Sequence, residues 1–351
     1  RRGDPITVAV IGGSITQGAS ATAPEKRYGD RVAAWWRERF PKSTVTFVNA
    51  GIGATGSDYG AQRAERDLLC HHPDFVVVEY AVNDPNGRAP AETYEGLLRQ
   101  ILKQPRKPAV VLLFMMNDAG GNAQEWQSNV GRHYAAPMVS YRDALWPEIK
   151  AGSREKGDVF ADEVHPNDRG HEYAARFTTS LLDDVLAHLP ADAELPRVQP
   201  VPAPLLTDLF ETATLWEPES LRPIRRDGWK LDVNEHCWKT DKPGSVLELS
   251  VEGKLICIQS LRLHAGMGRV RAQVDKRKPV LLEGWFDQTW GGWRRTDVLA
   301  RGLPPGKHTV RLILLEEKHP ESTGHEFKVY EIGAAGLGGR RPRKATAPPK
   351  K

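Results

Sequence analysis

The chain has 351 residues, 40% of them hydrophobic and 27% charged, with 10 Trp. That is enough for about two domains with real cores, and it excludes both a single small module and a disordered chain. The net charge of +4 comes from the end: residues 340–351 hold six Lys or Arg and no acid, leaving the rest slightly negative, which argues against a nucleic-acid partner.

The longest apolar run, 109–116, is eight residues, far short of the roughly 20 that span a bilayer, so no membrane partner is expected. The chain opens at Arg1 without an apolar leader, which leaves secretion open if a leader has been trimmed.

From residue 6 to 189, short β-branched runs alternate with amphipathic stretches. Val8-Ala9-Val10-Ile11, Val45-Thr46-Phe47-Val48, Phe75-Val76-Val77-Val78 and Val110-Val111-Leu112-Leu113-Phe114 are apolar on both faces, as central parallel strands are. The spacing predicts helices over 28–40, 59–70, 91–103, 123–134 and 170–188, hence a doubly wound α/β layer fold. Five prolines between 190 and 204 stiffen the chain and exclude helix, so the expected division is a first domain over 1–189, a linker over 190–204, and a second domain over 205–336. In that second domain the period falls to two, as in Val246-Leu247-Glu248-Leu249-Ser250-Val251 and Val270-Arg271-Ala272-Gln273-Val274. Alternating strands broken by turns such as Pro304-Pro305-Gly306 predict an all-β, jelly-roll-like antiparallel sandwich. The basic tail over 337–351 is expected to be disordered.

Ligands of an open parallel sheet sit beyond the carboxyl ends of its strands, so the residues there carry the functional reading. The first strand runs into Gly12-Gly13-Ser14-Ile15-Thr16, where two glycines allow a sharp turn and leave the Ser14 hydroxyl exposed as a nucleophile requires. An ordinary helix cap is the bland alternative. A phosphate loop would need Lys where Ala19 stands. The second strand leads into the small-residue loop 49–57, whose main-chain N–H groups can approach an anion. The third leads to Asn83, a side-chain amide able to donate to an oxyanion, although Asn-Asp-Pro is also a routine turn. Asp162 and His165, three apart just before the last helix, can meet so that the carboxylate accepts from Nδ1–H and leaves Nε2 free as a base. Any one of these features is weak, but four in order on one sheet edge are not.

Together the blocks Gly12-Gly13-Ser14-Ile15-Thr16, 49–57, Ala81-Val82-Asn83-Asp84 and Asp162-Glu163-Val164-His165-Pro166-Asn167 resemble those of the SGNH/GDSL hydrolases, over residues 6 to about 189. The resemblance implies a flavodoxin-like three-layer α/β/α fold and acyl transfer without a metal or cofactor. It makes Ser14 the nucleophile, His165 the base and Asp162 its orienter. The oxyanion hole it implies comprises the Ser14 N–H, a loop N–H and Asn83. Ala54 stands where the family has its loop glycine, with Gly53 as the fallback, and Ala81 replaces the glycine before the Asn block.

Six of the ten Trp fall in the second domain, and Trp285, Trp290 and Trp293 lie in one dense stretch. An aromatic platform of that kind suits sugar stacking, against the alternative that these rings fill the sandwich core. An α/β esterase joined to such a sandwich resembles polysaccharide acetylesterases. The expected substrate is therefore an acylated small molecule or polysaccharide, and the favoured reaction removes acetyl groups from a glycan. A general short-chain esterase, thioesterase or lysophospholipase is the alternative, and a non-catalytic glycan-binding protein is the alternative of another class.

Among the cysteines, Cys237 and Cys257 are read as buried free thiols in preference to a pair. Cys70, His71 and His72 read as a solvated helix end and not as a metal cluster. Asn117 and Asp118, after the fourth strand, either line the substrate pocket or start a loop.

Overall fold

The computed structural model describes residues 3–190 and 200–337. The chain divides into two units, Arg1–Asp208 and Leu209–Lys351. The tail beyond 337 and most of the proline-rich stretch lie outside the described residues.

In the first unit the strands β1 (Ile6–Gly12), β2 (Val45–Gly51), β3 (Phe75–Glu79), β4 (Ala109–Phe114) and β5 (Met138–Ser140) form one parallel sheet. Its order is β2-β1-β3-β4-β5, with Val8 beside Phe47 and Phe75 in the registers on either side. This is the flavodoxin-like order, and its reversal point lies between β1 and β3. The connecting helices are α1 (Ser14–Gln17), α2 (Tyr28–Arg39), α3 (Ser57–Asp67), α4 (Arg88–Leu102), α5 (Gln124–His133), α6 (Tyr141–Lys150) and α7 (Asp168–His188).

Strand alternation sorts the core onto two faces. Val8, Val10, Val77, Val111 and Leu113 share one cluster with Val32 of α2, Leu145 of α6 and Ala174 of α7. The intervening Ala9, Ile11, Val76, Val78 and Leu112 are equally buried on the other face, where α3 packs on α4 and α4 on α5. Both faces being covered explains why these strands read as continuous apolar runs. The segment β5–α6 is an addition to the expected elements. Its strand has three residues, too few for a period, and its helix carries Pro147 inside it.

The far end of the proline-rich stretch is bound to the first unit. Glu95, fully buried on α4, accepts the backbone N–H groups of Leu205, Leu206 and Thr207 at 2.5, 2.8 and 2.9 Å and the Tyr134 hydroxyl at 2.6 Å. Arg99, one turn along, donates to the Pro202 carbonyl.

The second unit holds two antiparallel sheets. One contains β7 (Pro223–Asp227), β10 (Val246–Glu252), β12 (Arg269–Val274), β13 (Val280–Glu283) and β15 (Lys307–Leu314), in the order β13-β12-β15-β10-β7. The other contains β8 (Lys230–Asp232), β9 (Cys237–Thr240), β11 (Leu255–Arg262), β14 (Trp293–Arg301) and β16 (Phe327–Ala335), in the order β14-β11-β16-β9-β8, with β6 (Thr214–Trp216) paired to β16. Leu247, Leu249 and Val251 point inward with Val270, Ala272 and Val274, as the alternation predicts, and meet Ile256, Ile258, Phe327 and Val329 in one core.

Candidate active site

The turn after β1 is tight. A Cβ on Gly13 would sit 2.1 Å from Asn83 Oδ1 and 3.2 Å from the Thr55 carbonyl, so only glycine lets the β3 exit and the small-residue loop close on the start of α1. Ser14 opens that helix, and its Oγ lies 2.9 Å from His165 Nε2. The two groups are 151 residues apart in the chain, and the reversal point of the sheet brings them together.

His165 is held by a small closed turn. Ala161 donates its N–H to the His165 carbonyl at 2.9 Å, and Phe160 bridges to Pro166. Inside the turn, Asp162 Oδ1 accepts the N–H groups of Val164 and His165 at 2.8 and 2.7 Å, while Oδ2 lies 2.9 Å from His165 Nδ1. Partial burial works against the charged carboxylate, but the imidazole and the two backbone donors outweigh it and hold Asp162 below the usual carboxylate range. Asn167 then caps α7, accepting from the N–H groups of Arg169 and Gly170 at 3.0 Å. The pair is open to water: the His165 side chain is 25% exposed and that of Asp162 51%.

The small-residue loop is pinned to the nucleophile turn. Asn49 Nδ2 donates to the Thr16 carbonyl at 2.9 Å, and Ile52 donates to the Gly12 carbonyl at 3.1 Å. Gly53 lies beside Ser14, its N–H bonded to Gln17 Oε1 at 2.9 Å. Ala54 adopts φ +57°, a left-handed conformation that costs a residue with a Cβ about 1 kcal/mol. That is a backbone setting in which glycine is at ease.

Asn83 lies in the turn after β3, its Oδ1 buried without a partner. The buried carboxyls on either side, Glu79 and Asp84, were not singled out by sequence reasoning. Desolvation pushes Glu79 up to about 7, opposed by the Thr16 hydroxyl and the N–H groups of Ala81 and Val82. It pushes Asp84 up to about 8, opposed chiefly by Ser57. Arg63, also fully buried, donates to the Gly12 carbonyl at 3.1 Å and to the Tyr80 hydroxyl at 2.9 Å from beneath the same turns. A charged residue closing an all-apolar strand is the one sequence signal that could have pointed to Glu79.

Asn117 and Asp118 form a loop at the same edge. Asn117 Oδ1 accepts the N–H groups of Ala119 and Gly121, and the Asp118 N–H donates to the Glu163 carbonyl at 3.0 Å, joining this loop to the Asp162–His165 turn. Cys70, exposed in the short 3-10 turn Leu69–His71 after α3, donates its thiol to the Arg66 carbonyl, and no three metal-binding side chains cluster among the described residues. Cys237 and Cys257 are both buried free thiols.

The tryptophans of the second unit separate into two sets. Trp229 and Trp238 are in the sandwich core, with Trp216 packed against it. Trp285, Trp290 and Trp293 are outside that core. Trp285 stacks flat on His319 with 3.8 Å between centroids, Trp293 is flanked by the guanidinium groups of Arg262 and Arg295, and Trp290 is 58% exposed, edge-on to Phe286.

Among the described residues no helix is long and apolar enough to cross a membrane. The model of the GDSL-like lipase/acylhydrolase family matches residues 10–173. No curated protein matches the sequence. Two solved structures of a two-domain esterase active on acetylated mannans resemble the whole chain. The one co-crystallised with mannopentaose is 32% identical, with 96% of this chain and 92% of that chain covered at a TM-score of 0.87. The other is 33% identical over the same shares at 0.88. With an α/β unit whose first strand delivers a serine to a histidine, and a β-sandwich following it in the sequence, the chain belongs to the GDSL-like lipase/acylhydrolase family and is a carboxylic ester hydrolase.

Proposed function

We propose that the protein is a serine esterase that removes acetyl groups from a polysaccharide, with acetylated mannans the first class to test. The observation that carries the chemistry is the chain of contacts from Ser14 Oγ to His165 Nε2 at 2.9 Å and from His165 Nδ1 to Asp162 Oδ2 at 2.9 Å. Asp162 fixes the ring with Nδ1 protonated and Nε2 facing the hydroxyl.

His165 accepts the Ser14 proton as Oγ attacks the acetyl carbonyl, and the electron pair of the C=O bond moves onto oxygen. The oxyanion is met by the Ser14 N–H, the Asn83 carboxamide and a main-chain N–H of the small-residue loop at Ala54 or Gly53. As the carbonyl reforms, His165 protonates the sugar oxygen and the alcohol leaves. Water, deprotonated by the same imidazole, attacks the acetyl-serine, and acetate departs as Oγ regains its proton.

Three features support the polymeric, acetyl-bearing substrate. Half of the Asp162 side chain faces water, so the site is shallow, as an ester on a bulky chain requires. Trp290, outside the sandwich core and 58% exposed, offers an aromatic ring at the surface. The similar two-domain esterase acts on acetylated mannans.

Acetate release from acetylated mannan, acetylated xylan and aryl esters of two to eight acyl carbons tests the reading. Acetate release from the polysaccharide well above the Ser14→Ala background, with aryl ester rates falling as the acyl chain lengthens, is expected. Equal rates on long-chain esters refute the acetyl assignment, and turnover no faster than Ser14→Ala refutes the esterase.

A further inference from the structure

Asn83 faces the nucleophile turn, and among the described residues no hydrogen bond to its side-chain oxygen fixes its aim. Oδ1 is buried against Gly13 without a hydrogen-bond partner. Its aim is therefore set by the backbone of the β3 exit, a single turn closed by the Asp84 N–H donating to the Tyr80 carbonyl at 3.0 Å.

A buried carboxyl stands at each end of that turn. Glu79, fully buried, accepts the Thr16 hydroxyl on Oε2 at 3.3 Å while its Oε1 has no partner among the described residues, and Thr16 Oγ1 in turn meets the Tyr28 hydroxyl at 2.8 Å. Thr16 is in α1, two residues beyond Ser14. Asp84, 6% exposed, accepts the Ser57 N–H on Oδ1 at 2.8 Å and Gln127 Nε2 on Oδ2 at 3.0 Å. Ser57 ends the small-residue loop and opens α3, and Gln127 belongs to α5. Among the described residues neither carboxyl has a cation in salt-bridge contact, an arrangement that costs stability and that a plain hydrophobic filler would avoid. Their contacts run outward to the other two walls of the site.

We propose that Glu79 and Asp84 are positioning residues for the oxyanion hole: Glu79 ties the turn carrying Asn83 to the nucleophile helix, and Asp84 ties it to the loop carrying Gly53 and Ala54. The proposal rests on the esterase reading, and deepens it by assigning the rigidity of the oxyanion donors to two groups that never touch substrate. An error near 1 Å in a donor's placement is enough to cost about 10²-fold in rate.

The test is a pair of double-mutant cycles on an aryl acetate, measuring kcat and KM for Glu79→Ala and Asp84→Ala, each alone and with Asn83→Ala. Each single variant is expected to lose about 10- to 100-fold in kcat with KM within about twofold. In the Asn83→Ala background the further loss is expected to shrink below about threefold, because the residue being aimed is gone. Glu79→Gln and Asp84→Asn, which keep an acceptor in place, should recover kcat to within about threefold of wild type. Gln127 can turn over to meet the new amide, since its own Oε1 is buried without a partner.

Losses that multiply in full across the two backgrounds, or single variants as fast as wild type, overturn the proposal. If an alanine variant does not fold, Thr16→Val replaces it for Glu79 and Gln127→Ala for Asp84, judged by the same cycle. A wild type no faster than Ser14→Ala is a separate result: it removes the esterase reading beneath the proposal.

Discussion

Gly13→Ala isolates the close approach on which the site depends. The φ of −86° at position 13 lies outside the left-handed region, and the crowding of an added methyl group is what decides the outcome. The new Cβ would stand 2.1 Å from Asn83 Oδ1 and 2.8 Å from its Cγ. Ordinary contact needs about 3.5 Å, so the carboxamide must retreat by more than about 1 Å. A displacement of that size, or outright loss of an oxyanion donor, costs about 10² to 10³ in rate. The expected result on an aryl acetate is therefore a fall of about 10²- to 10³-fold in kcat, KM within about twofold, and a melting temperature within a few degrees of wild type. In an Asn83→Ala background, where the clashing atoms are absent, the same substitution should cost less than about tenfold, the residue being the 3.2 Å approach to the Thr55 carbonyl. A Gly13→Ala enzyme that keeps more than a tenth of wild-type kcat refutes the reasoning.

Three further outcomes are expected. Asp162→Asn keeps an oxygen for the Val164 and His165 N–H groups but loses the charge that favours imidazolium, so kcat should fall by about 10² to 10⁴ with the circular dichroism spectrum unchanged. Glu79, held near 7 by burial against an ordinary 4.5, binds its proton more tightly folded than unfolded. Its stabilising contribution is whole below about pH 4.5 and is lost as pH rises through 7, about 3 kcal/mol in all. Urea denaturation from pH 5 to 8.5 should thus show wild type losing about 2.5 kcal/mol more than Glu79→Gln, and parallel pH profiles contradict the assignment. Trp290→Ala, at an exposed ring, should raise KM on acetylated mannan by about 3- to 10-fold while leaving an aryl acetate unaffected. A change on both substrates would mean a folding role.

What the sequence disclosed follows from where physics makes patterns local. Val8 to Ile11 reads as a doubly covered strand because both faces are packed, and Leu247, Leu249 and Val251 read as a half-covered one because one face is. The placing of Ser14 and Asn83 at one edge is legible too, since each follows a strand whose direction the alternation fixes, whereas His165 is marked by its spacing from Asp162 just before the last helix. Burial of charge is not local. Glu79 looks like a charged strand end and Asp84 like an ordinary turn residue until α1, α3 and α5 close over them, and no pattern in the chain announces that Gln17 engages the Gly53 N–H. Composition alone likewise cannot separate Trp229 and Trp238, which fill the core, from Trp285, Trp290 and Trp293, which do not.

The carboxylate of Glu95 has a practical consequence for anyone dissecting this chain. Its three main-chain donors come from residues 205–207, beyond the prolines. A catalytic fragment trimmed at residue 189, where the last helix has just ended, would remove three of the four hydrogen bonds that Glu95 accepts among the described residues and leave it the Tyr134 hydroxyl, a defect on the order of several kcal/mol. Cutting after Asp208 keeps the clasp whole, so the shorter fragment should express poorly where the longer one survives.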